Sequence, residues 1–320
     1  MEYIFNIILN ILTSGFPCCL LAVGIFLTYR LLDFADLTAE GSFLIGGVTC
    51  VSIIFNGGNA FFATFVGMLG GLICGLITGL LHTKLNIPKL LSGIITMTAT
   101  ASIALLIVGF TKEGSAFANL VSLNSGDATI YSMFYNDKMM NQIVESIVMA
   151  IIVAIVIIII YFFFGTEYGM AIRATGMNEK MARAQGINTT LSKIVCVALS
   201  NALIGLAGAL WAQDARSMDV KSASGFLVIG LASILIGETI FGRRTFKNWI
   251  ISVALGGIVY YVIITIAIEL GFPTQLKNLL YAILITIALC LPLIKSGISR
   301  LTKKKEESQN AESWKHCKDI

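Results

Sequence analysis

Charged residues are scarce in this chain of 320 residues. They make up 12% of the sequence, whereas soluble domains carry about 25%, and hydrophobic residues make up 57%. The mean hydropathy is +0.87. This composition excludes a soluble globular domain and predicts a protein that crosses a membrane several times. Since the apolar run over residues 143–164 does not alternate, we expect helical spans and not the strands of an outer-membrane barrel.

Signatures of catalysis and nucleotide binding are also absent. The chain has no G-x-x-x-x-G-K-[ST] loop for ATP phosphates, no H-E-x-x-H and no G-x-S-x-G. Its two histidines lie outside the apolar runs, and its cysteines show no metal-ligand spacing. We therefore expect no catalytic residue, no metal and no cofactor in this chain, so that any motor using ATP and Mg²⁺ is a separate partner. The basic residues 303–305 have no aromatic residues between them, which argues against nucleic acid as a partner.

Nine apolar stretches are long enough to cross a bilayer at about 20 residues each. They cover residues 9–29, 38–55, 60–81, 90–110, 143–164, 191–212, 225–241, 249–268 and 277–294. The predicted fold class is an all-α polytopic integral membrane protein with about nine transmembrane helices. Residues 1–300 form the membrane domain, and residues 301–320 form a polar tail. Basic residues in short loops mark the cytoplasmic side. They place the N-terminus and the loop of residues 111–142 outside the cell membrane and the C-terminus inside.

A polar segment, residues 165–188, separates two of these apolar stretches on the predicted cytoplasmic side. Asn178 is a good N-cap, Glu179 suits the first turn of a helix, Arg183 suits its last turn, and Gly186 is a ready C-terminal stop. The pattern predicts a short helix of about two turns near the membrane surface. A soluble motor could push on such a helix and tilt the flanking spans.

A short internal repeat suggests duplication. The string EGSFLIGG over residues 40–47 is similar to SGFLVIGL over residues 224–231, and each follows an apolar span and a break that contains aspartate. The match is short enough to arise by chance. On the predicted topology, however, the two copies enter the membrane from opposite sides, as inverted repeats of transporters do. Such a pair would place one broken-helix gate near each membrane face.

Ionisable residues cluster at the first of these breaks. Structural roles are open to most of them, because Asp36 can cap a helix that begins at Leu37, and Arg30 can pair with Asp33 one turn along. The alternative is a gate or a ligand contact, because ionisable groups at membrane depth are costly and mark transport pathways. Glu40 favours this alternative most, since no neighbouring cation or capping box accounts for it.

Polar residues inside three other spans have two possible roles each. Thr96 and Thr100 lie one turn apart and could line a path, or could satisfy themselves by bonding the backbone one turn back. Asn201 could join helices or touch a substrate. Glu238 is expected to extend toward Arg243 and Arg244, and otherwise to act at a gate or against a partner subunit.

Three passages resemble the permease subunits of bacterial ABC importers of the ribose and branched-chain amino acid type. The stretch LLDFADLTAEGSFLIGG over residues 31–47 is similar to the family's D-L-[ST]-x-G-S element, with Glu40 inserted as in the subgroup linked to tryptophan and tyrosine uptake. The stretch YGMAIRATGMNEKMARAQGIN over residues 168–188 resembles the family's cytoplasmic coupling segment. The stretch ASILIGETIFGRR over residues 232–244 resembles a late-span element, with Glu238 in place of a common glycine.

The resemblance implies partners and roles. Two permease chains would bind a dimer of a cytoplasmic ATPase and one extracytoplasmic binding protein, with the coupling segment taken as residues 165–190. The implied ATPase-docking residues are Asn178, Glu179, Met181, Ala182, Arg183 and Gly186. Candidates for the substrate path or gate are Asp36, Thr38, Glu40, Ser42, Thr96, Thr100, Asn201 and Glu238.

The expected cargo is an amino acid, with aromatic ones favoured, because a buried carboxylate suits an ammonium group better than a neutral sugar. An ion- or proton-coupled secondary transporter is the alternative, in which four carboxylates titrate or bind a cation: Asp33, Asp36, Glu40 and Glu238. A membrane-bound enzyme is disfavoured by the missing catalytic motifs.

Overall fold

A computed structural model describes residues 2–111, 119–123, 129–130, 138–271, 279–280, 282–283 and 286. Within these ranges the chain forms ten α-helices and one two-stranded antiparallel ribbon. The helices are α1 (Glu2–Phe26), α2 (Thr38–Phe55), α3 (Ala60–Lys84), α4 (Lys89–Thr111), α5 (Lys138–Gly165), α6 (Glu167–Met177), α7 (Glu179–Ala184), α8 (Thr189–Asp214), α9 (Phe226–Phe241) and α10 (Phe246–Glu269). A π-helical turn, Leu27–Leu31, prolongs α1, and the strands are β1 (Leu120–Ser122) and β2 (Ser217–Asp219).

In the part of the chain that the structure describes, seven helical segments are long and apolar enough to cross a membrane, which confirms a polytopic membrane protein. They are Ile7–Leu31, Thr38–Phe55, Ala60–Lys84, Lys89–Thr111, Ile143–Gly165, Thr189–Asp214 and Phe246–Glu269. The span predicted over residues 225–241 forms α9, whose 16 residues rise only about 24 Å. Most of the ninth predicted span, residues 277–294, most of the loop of residues 111–142 and the tail of residues 301–320 lie outside the described residues.

Glycines of α2 and α3 let these helices pack closely against the backbone of α8, at the centre of the bundle. A Cβ atom on Gly75 of α3 would lie 2.6 Å from the carbonyl oxygen of Val197 on α8. Gly71 of α3 meets Asn201 of α8 in the same way, and Gly46 of α2 meets Gly205. Such small residues let helix backbones approach closely in lipid, where dispersion forces drive association.

Helices from the two ends of the chain pack against each other around the two breaks. Helix α8 packs against α2 and α3, while α1 packs against α9 and α10. The chain leaves regular structure after the π-helical turn, over residues 32–37, and again between α8 and α9, where β2 and a 3₁₀ turn (Val220–Ala223) intervene. The ribbon pairs Val121 of β1 with Met218 of β2 and so joins residues 119–123, from the segment between α4 and α5, to the second break.

Candidate functional site

The first break, residues 32–37, buries Leu32, Phe34 and Asp36 and exposes Asp33 and Ala35. Asp36 is 5% exposed, and its Oδ1 accepts a hydrogen bond of 2.9 Å from the backbone N–H of Thr38, the first residue of α2. Asp36 bonds the first N–H of α2, as expected of a residue near the helix start, but the N-cap position is Leu37, because the helix begins one residue later than predicted. Its Oδ2 accepts a 2.7 Å bond from the side-chain amide of Asn201 on α8. The break is thus tied to the central helix.

A buried polar network extends from this carboxylate through four helices. Asn201 also accepts a 2.7 Å hydrogen bond from the hydroxyl of Ser42. The hydroxyls of Thr38 and Thr78 lie 2.7 Å apart, and Thr78 donates to Thr96 over 2.8 Å. Five of the eight predicted path residues therefore meet: Asp36, Thr38, Ser42, Thr96 and Asn201. Sequence reasoning missed Thr78, whose signal is its place one turn from Gly75 on the close-packed face of α3.

Glu40 lies apart from that network, on a cavity. Its Oε1 accepts a 2.9 Å hydrogen bond from the backbone N–H of Gly225, directly before α9. The cavity has a volume of about 310 Å³, and Lys221 of the second break also lines it. Thr100 does not line it; its hydroxyl bonds the carbonyl of Met97 over 2.8 Å. The sequence did not predict a role for Lys221, because only the fold places it on the same cavity as Glu40.

Glu238 is paired differently from the prediction. Its Oε2 lies 2.6 Å from Nη2 of Arg30, and its Oε1 accepts a 2.8 Å hydrogen bond from the indole of Trp249. Arg243, one of the two expected partners, is farther away at 3.8 Å. The expected pair of Arg30 with Asp33 is wrong, because the chain leaves the helix after the π-helical turn and carries Asp33 away into a left-handed conformation, with φ of 50°.

The predicted short helix of the polar segment is α7, and its local signals are confirmed. The Asn178 side chain accepts a 3.1 Å hydrogen bond from the backbone N–H of Met181, as an N-cap does. Gly186 has φ of +83°, and the next N–H, of Ile187, bonds the carbonyl of Ala182 over 3.1 Å. This is the Schellman geometry, in which a left-handed glycine ends a helix. Helix α7 has six residues, slightly less than two turns.

Ion pairs attach α7 to the start of α8. Glu179 lies 2.7 Å from Nζ of Lys193 and 3.1 Å from Nη2 of Arg183. Lys193, followed by Arg183, lowers the pKa of the Glu179 carboxyl, because both cations stabilise the charged form. Of the six predicted docking residues, Ala182 is buried and Met181 is 63% exposed. Helix α7 therefore has one face on the protein and one face free.

Helix α6 joins α7 to the first break. A Cβ atom on Gly176 would collide with the carbonyl oxygen of Leu31, so α6 lies directly on the π-helical turn. The guanidinium of Arg173 stacks 4.4 Å above the ring of Phe246, at the start of α10. Helix α6 is therefore in direct contact with both elements.

The two breaks share several contacts in the same register. Asp219 accepts a 3.0 Å hydrogen bond from the backbone N–H of Lys221, as Asp36 does from Thr38. The rings of Phe43 and Phe226 stack on each other with centroids 3.9 Å apart. The two aspartates, the two donors of their bonds and the two rings are each 183 residues apart, one residue less than the offset between the similar strings over residues 40–47 and 224–231, so the contacts give a different register from those strings.

Comparison with known proteins places these features in context. The family model described as "Branched-chain amino acid transport system / permease component" matches residues 7–289. A tyrosine transport system permease protein of Clostridioides difficile (strain R20291) is 32% identical over 303 residues, covering 94% of this chain and 95% of that protein.

Two further relatives are more distant. A galactofuranose transporter permease protein of Escherichia coli (strain K12) is 25% identical over 294 residues, covering 90% of this chain and 79% of that protein. An uncharacterised protein of Rickettsia prowazekii (strain Madrid E) is 25% identical over 286 residues, covering 87% of this chain and 95% of that one. No solved structure matches this chain.

Proposed function

Since the chain belongs to the family of branched-chain amino acid transport system permease components, we propose that it admits an amino acid, with aromatic ones favoured, into the cell. It is a multi-pass membrane protein and the permease component of an ABC importer, a transmembrane part without ATPase activity. One observation supports an amino acid as the cargo: the chain is 32% identical, over 94% of its length, to a protein named for tyrosine transport. The carboxylate of Glu40, on the wall of a cavity, adds a group suited to an ammonium.

The proposed assembly has two copies of this chain, a dimer of ABC ATPases and an extracytoplasmic binding protein. ATP and Mg²⁺ are used by the ATPases, and this chain binds neither. The ATPases dock on α7, at Asn178, Glu179, Met181, Ala182, Arg183 and Gly186. The N-cap, the glycine stop and the bridge to Lys193 support this role, because they make α7 a stiff element despite its six residues.

Movement of the docked helix passes to the gate through α6. Because Gly176 lies against Leu31, a push on α6 reaches the turn that precedes Asp36. The buried bonds of Asp36 to Thr38 and Asn201 then carry the displacement to α2 and α8. In this mechanism the hydroxyls of Thr38, Ser42 and Thr96 connect the helices of the gate through buried hydrogen bonds.

We also propose that α1 to α3 and α8 to α10 are inverted repeats in a fold of nine crossings, with the N-terminus outside. The packing of helices from the two ends of the chain and the stack of Phe43 on Phe226 support this relation, since equivalent residues meet at a two-fold axis. The two breaks then meet each other inside the protein, through Glu40 and Gly225.

Reconstitution tests the function. Liposomes that hold this chain with its ATPase, supplied with tyrosine-loaded binding protein, should accumulate tyrosine only when ATP is present. Uptake by this chain alone, driven by an ion gradient, would instead establish the secondary transporter. Competition between tyrosine and galactofuranose then separates amino acid from sugar transport.

A charge reversal tests the docking site. Arg183→Glu should weaken co-purification of the ATPase about tenfold, since it reverses an exposed charge of α7. Because Arg183 also donates to the hydroxyl of Thr189 at the start of α8, thermal unfolding of the variant is measured alongside. Lys247→Glu reverses another exposed charge, at the start of α10, and is the matched control. Equal co-purification of both variants would argue against docking at α7.

A further inference from the structure

The cavity beside Glu40 lies near the middle of the membrane. Two of its lining residues, Met97 and Ala101, belong to α4. They lie about 12 and 18 Å along the helix axis from Lys89, in a helix about 33 Å long. Helix α4 spans the bilayer core, which is about 30 Å thick. Substrate sites of transporters with broken helices lie at this depth.

The wall of the cavity carries both signs of charge. Glu40 comes from α2, while Lys221 comes from the 3₁₀ turn of the second break. Among the described residues, neither side chain forms a salt bridge. The Glu40 carboxylate is directed toward the backbone N–H groups of Gly225 and Leu227. A carboxylate has about four acceptor positions, so capacity remains for a further donor.

The rest of the wall is apolar. Leu44, Met97, Ala101 and Val220 line it, and its volume of about 310 Å³ is within the range of small-molecule pockets, about 300–1,000 Å³. Aliphatic walls and a methionine thioether suit an aromatic side chain. A neutral sugar, by contrast, would leave both charges without a counter-charge.

From this arrangement we propose that the cavity is a binding subsite for a zwitterionic amino acid. Glu40 receives the ammonium group, Lys221 receives the carboxylate, and the apolar wall receives the side chain. This inference rests on the proposed function, and it assigns to Lys221 a role in cargo recognition. It also makes the site depend on both repeats, because Glu40 lies in the first turn of α2, directly after the first break, and Lys221 lies in the second break.

A purely structural role for Glu40, as a cap on the first N–H groups of α9, is the competing explanation. Glu40→Gln separates the two roles, because an amide oxygen still accepts from Gly225 but has no charge for an ammonium. Glu40→Leu removes both functions. Lys221→Met removes the second charge and keeps the length of the side chain, and Lys247→Met is its matched control at an exposed position.

The experiment measures ATP-driven tyrosine uptake in proteoliposomes that contain the whole complex, together with thermal unfolding of each permease. Glu40→Gln and Lys221→Met should each reduce kcat/KM for uptake at least tenfold with unchanged unfolding temperature, while Lys247→Met should match the wild type. Normal uptake by Glu40→Gln, with unfolding at lower temperature only in Glu40→Leu, would overturn the subsite and leave Glu40 as a cap. A wild-type complex that carries a sugar and excludes tyrosine would refute the proposed function and the subsite together.

Discussion

The break before α2 and the break before α9 each contain an aspartate that accepts a hydrogen bond from the backbone N–H two residues further on. In the first break, Asp36 is 5% exposed and is also bound by Asn201. In the second break, Asp219 is only half-buried, and Lys221 beside it is exposed. The first break is therefore held by buried side chains, whereas the described residues of the second are mostly half-buried.

The second break is held in place by contacts with other segments of the chain. Strand β2 pairs with β1, and Glu40, which belongs to α2, bonds the N–H of Gly225. Segments with few buried contacts open at the lowest free energy. We therefore expect the second break to open at a lower free energy than the first, and so to move relative to it.

The largest expected effect is the loss of the buried aspartate. Asp36→Ala should destabilise the protein by about 2–3 kcal/mol, because it leaves the N–H of Thr38 and one amide hydrogen of Asn201 unsatisfied in the interior, the other hydrogen remaining bound to Val197. Asp219→Ala should cost about 1 kcal/mol or less, since water can replace a partner that is half-exposed. Thermal unfolding in detergent measures both, and equal losses would remove the distinction between the two breaks.

Crowding the contact between α6 and the first break should have the next largest effect. In Gly176→Ala the new methyl group meets the carbonyl of Leu31, so α6 must shift at a cost of about 1–3 kcal/mol. We expect tyrosine uptake to fall several-fold more than ATP hydrolysis by the assembled complex, because the push no longer reaches the break. Gly165→Ala is the matched control, since a methyl group there meets no atom. If uptake and hydrolysis fall together, Gly176 has only a structural role.

The ring stack that joins the two breaks should have a smaller effect. A double-mutant cycle with Phe43→Leu and Phe226→Leu should give a coupling energy of about 0.5–1.5 kcal/mol, the usual range for aromatic pairs. Unfolding in detergent again supplies the free energies. A coupling energy near zero would mean that the two breaks move independently of this contact.

Local sequence signals were enough to predict the apolar helices α1 to α5 and α8 to α10 and the caps of α7, whereas α6 was not predicted. Asn178 and Gly186 act on backbone groups three to five residues away, so their roles can be read from the chain alone. The same holds for Asp36, whose acceptor bond reaches two residues along the chain.

Contacts between distant parts of the chain could not be predicted in this way. Arg30 was expected to pair one turn along a continuous helix, but a π-helical turn and a break intervene, and its partner Glu238 lies 208 residues away. Thr78 and Lys221 were missed because each owes its importance to a neighbour from another helix or break. Proximity of this kind is set by the packing of α2, α3 and α9.

The smallest expected effect concerns α7, which differs from both breaks in having an exposed carboxylate that is paired with cations. The pKa of Glu179 is lowered, chiefly by Lys193, so the pair stabilises the fold above the unfolded-state pKa of about 4.3 and loses this contribution as pH falls through the lower folded pKa. Because Glu179 is 40% exposed, the contribution should be about 0.5 kcal/mol, equivalent to about 1–2 °C in unfolding temperature. Lys193→Met should therefore unfold at a slightly lower temperature than the wild type at pH 7, and the difference should shrink in 1 M salt and vanish below the folded pKa. If the difference persisted under both conditions, packing of the Lys193 stem, and not its charge, would be what attaches the docking helix to α8.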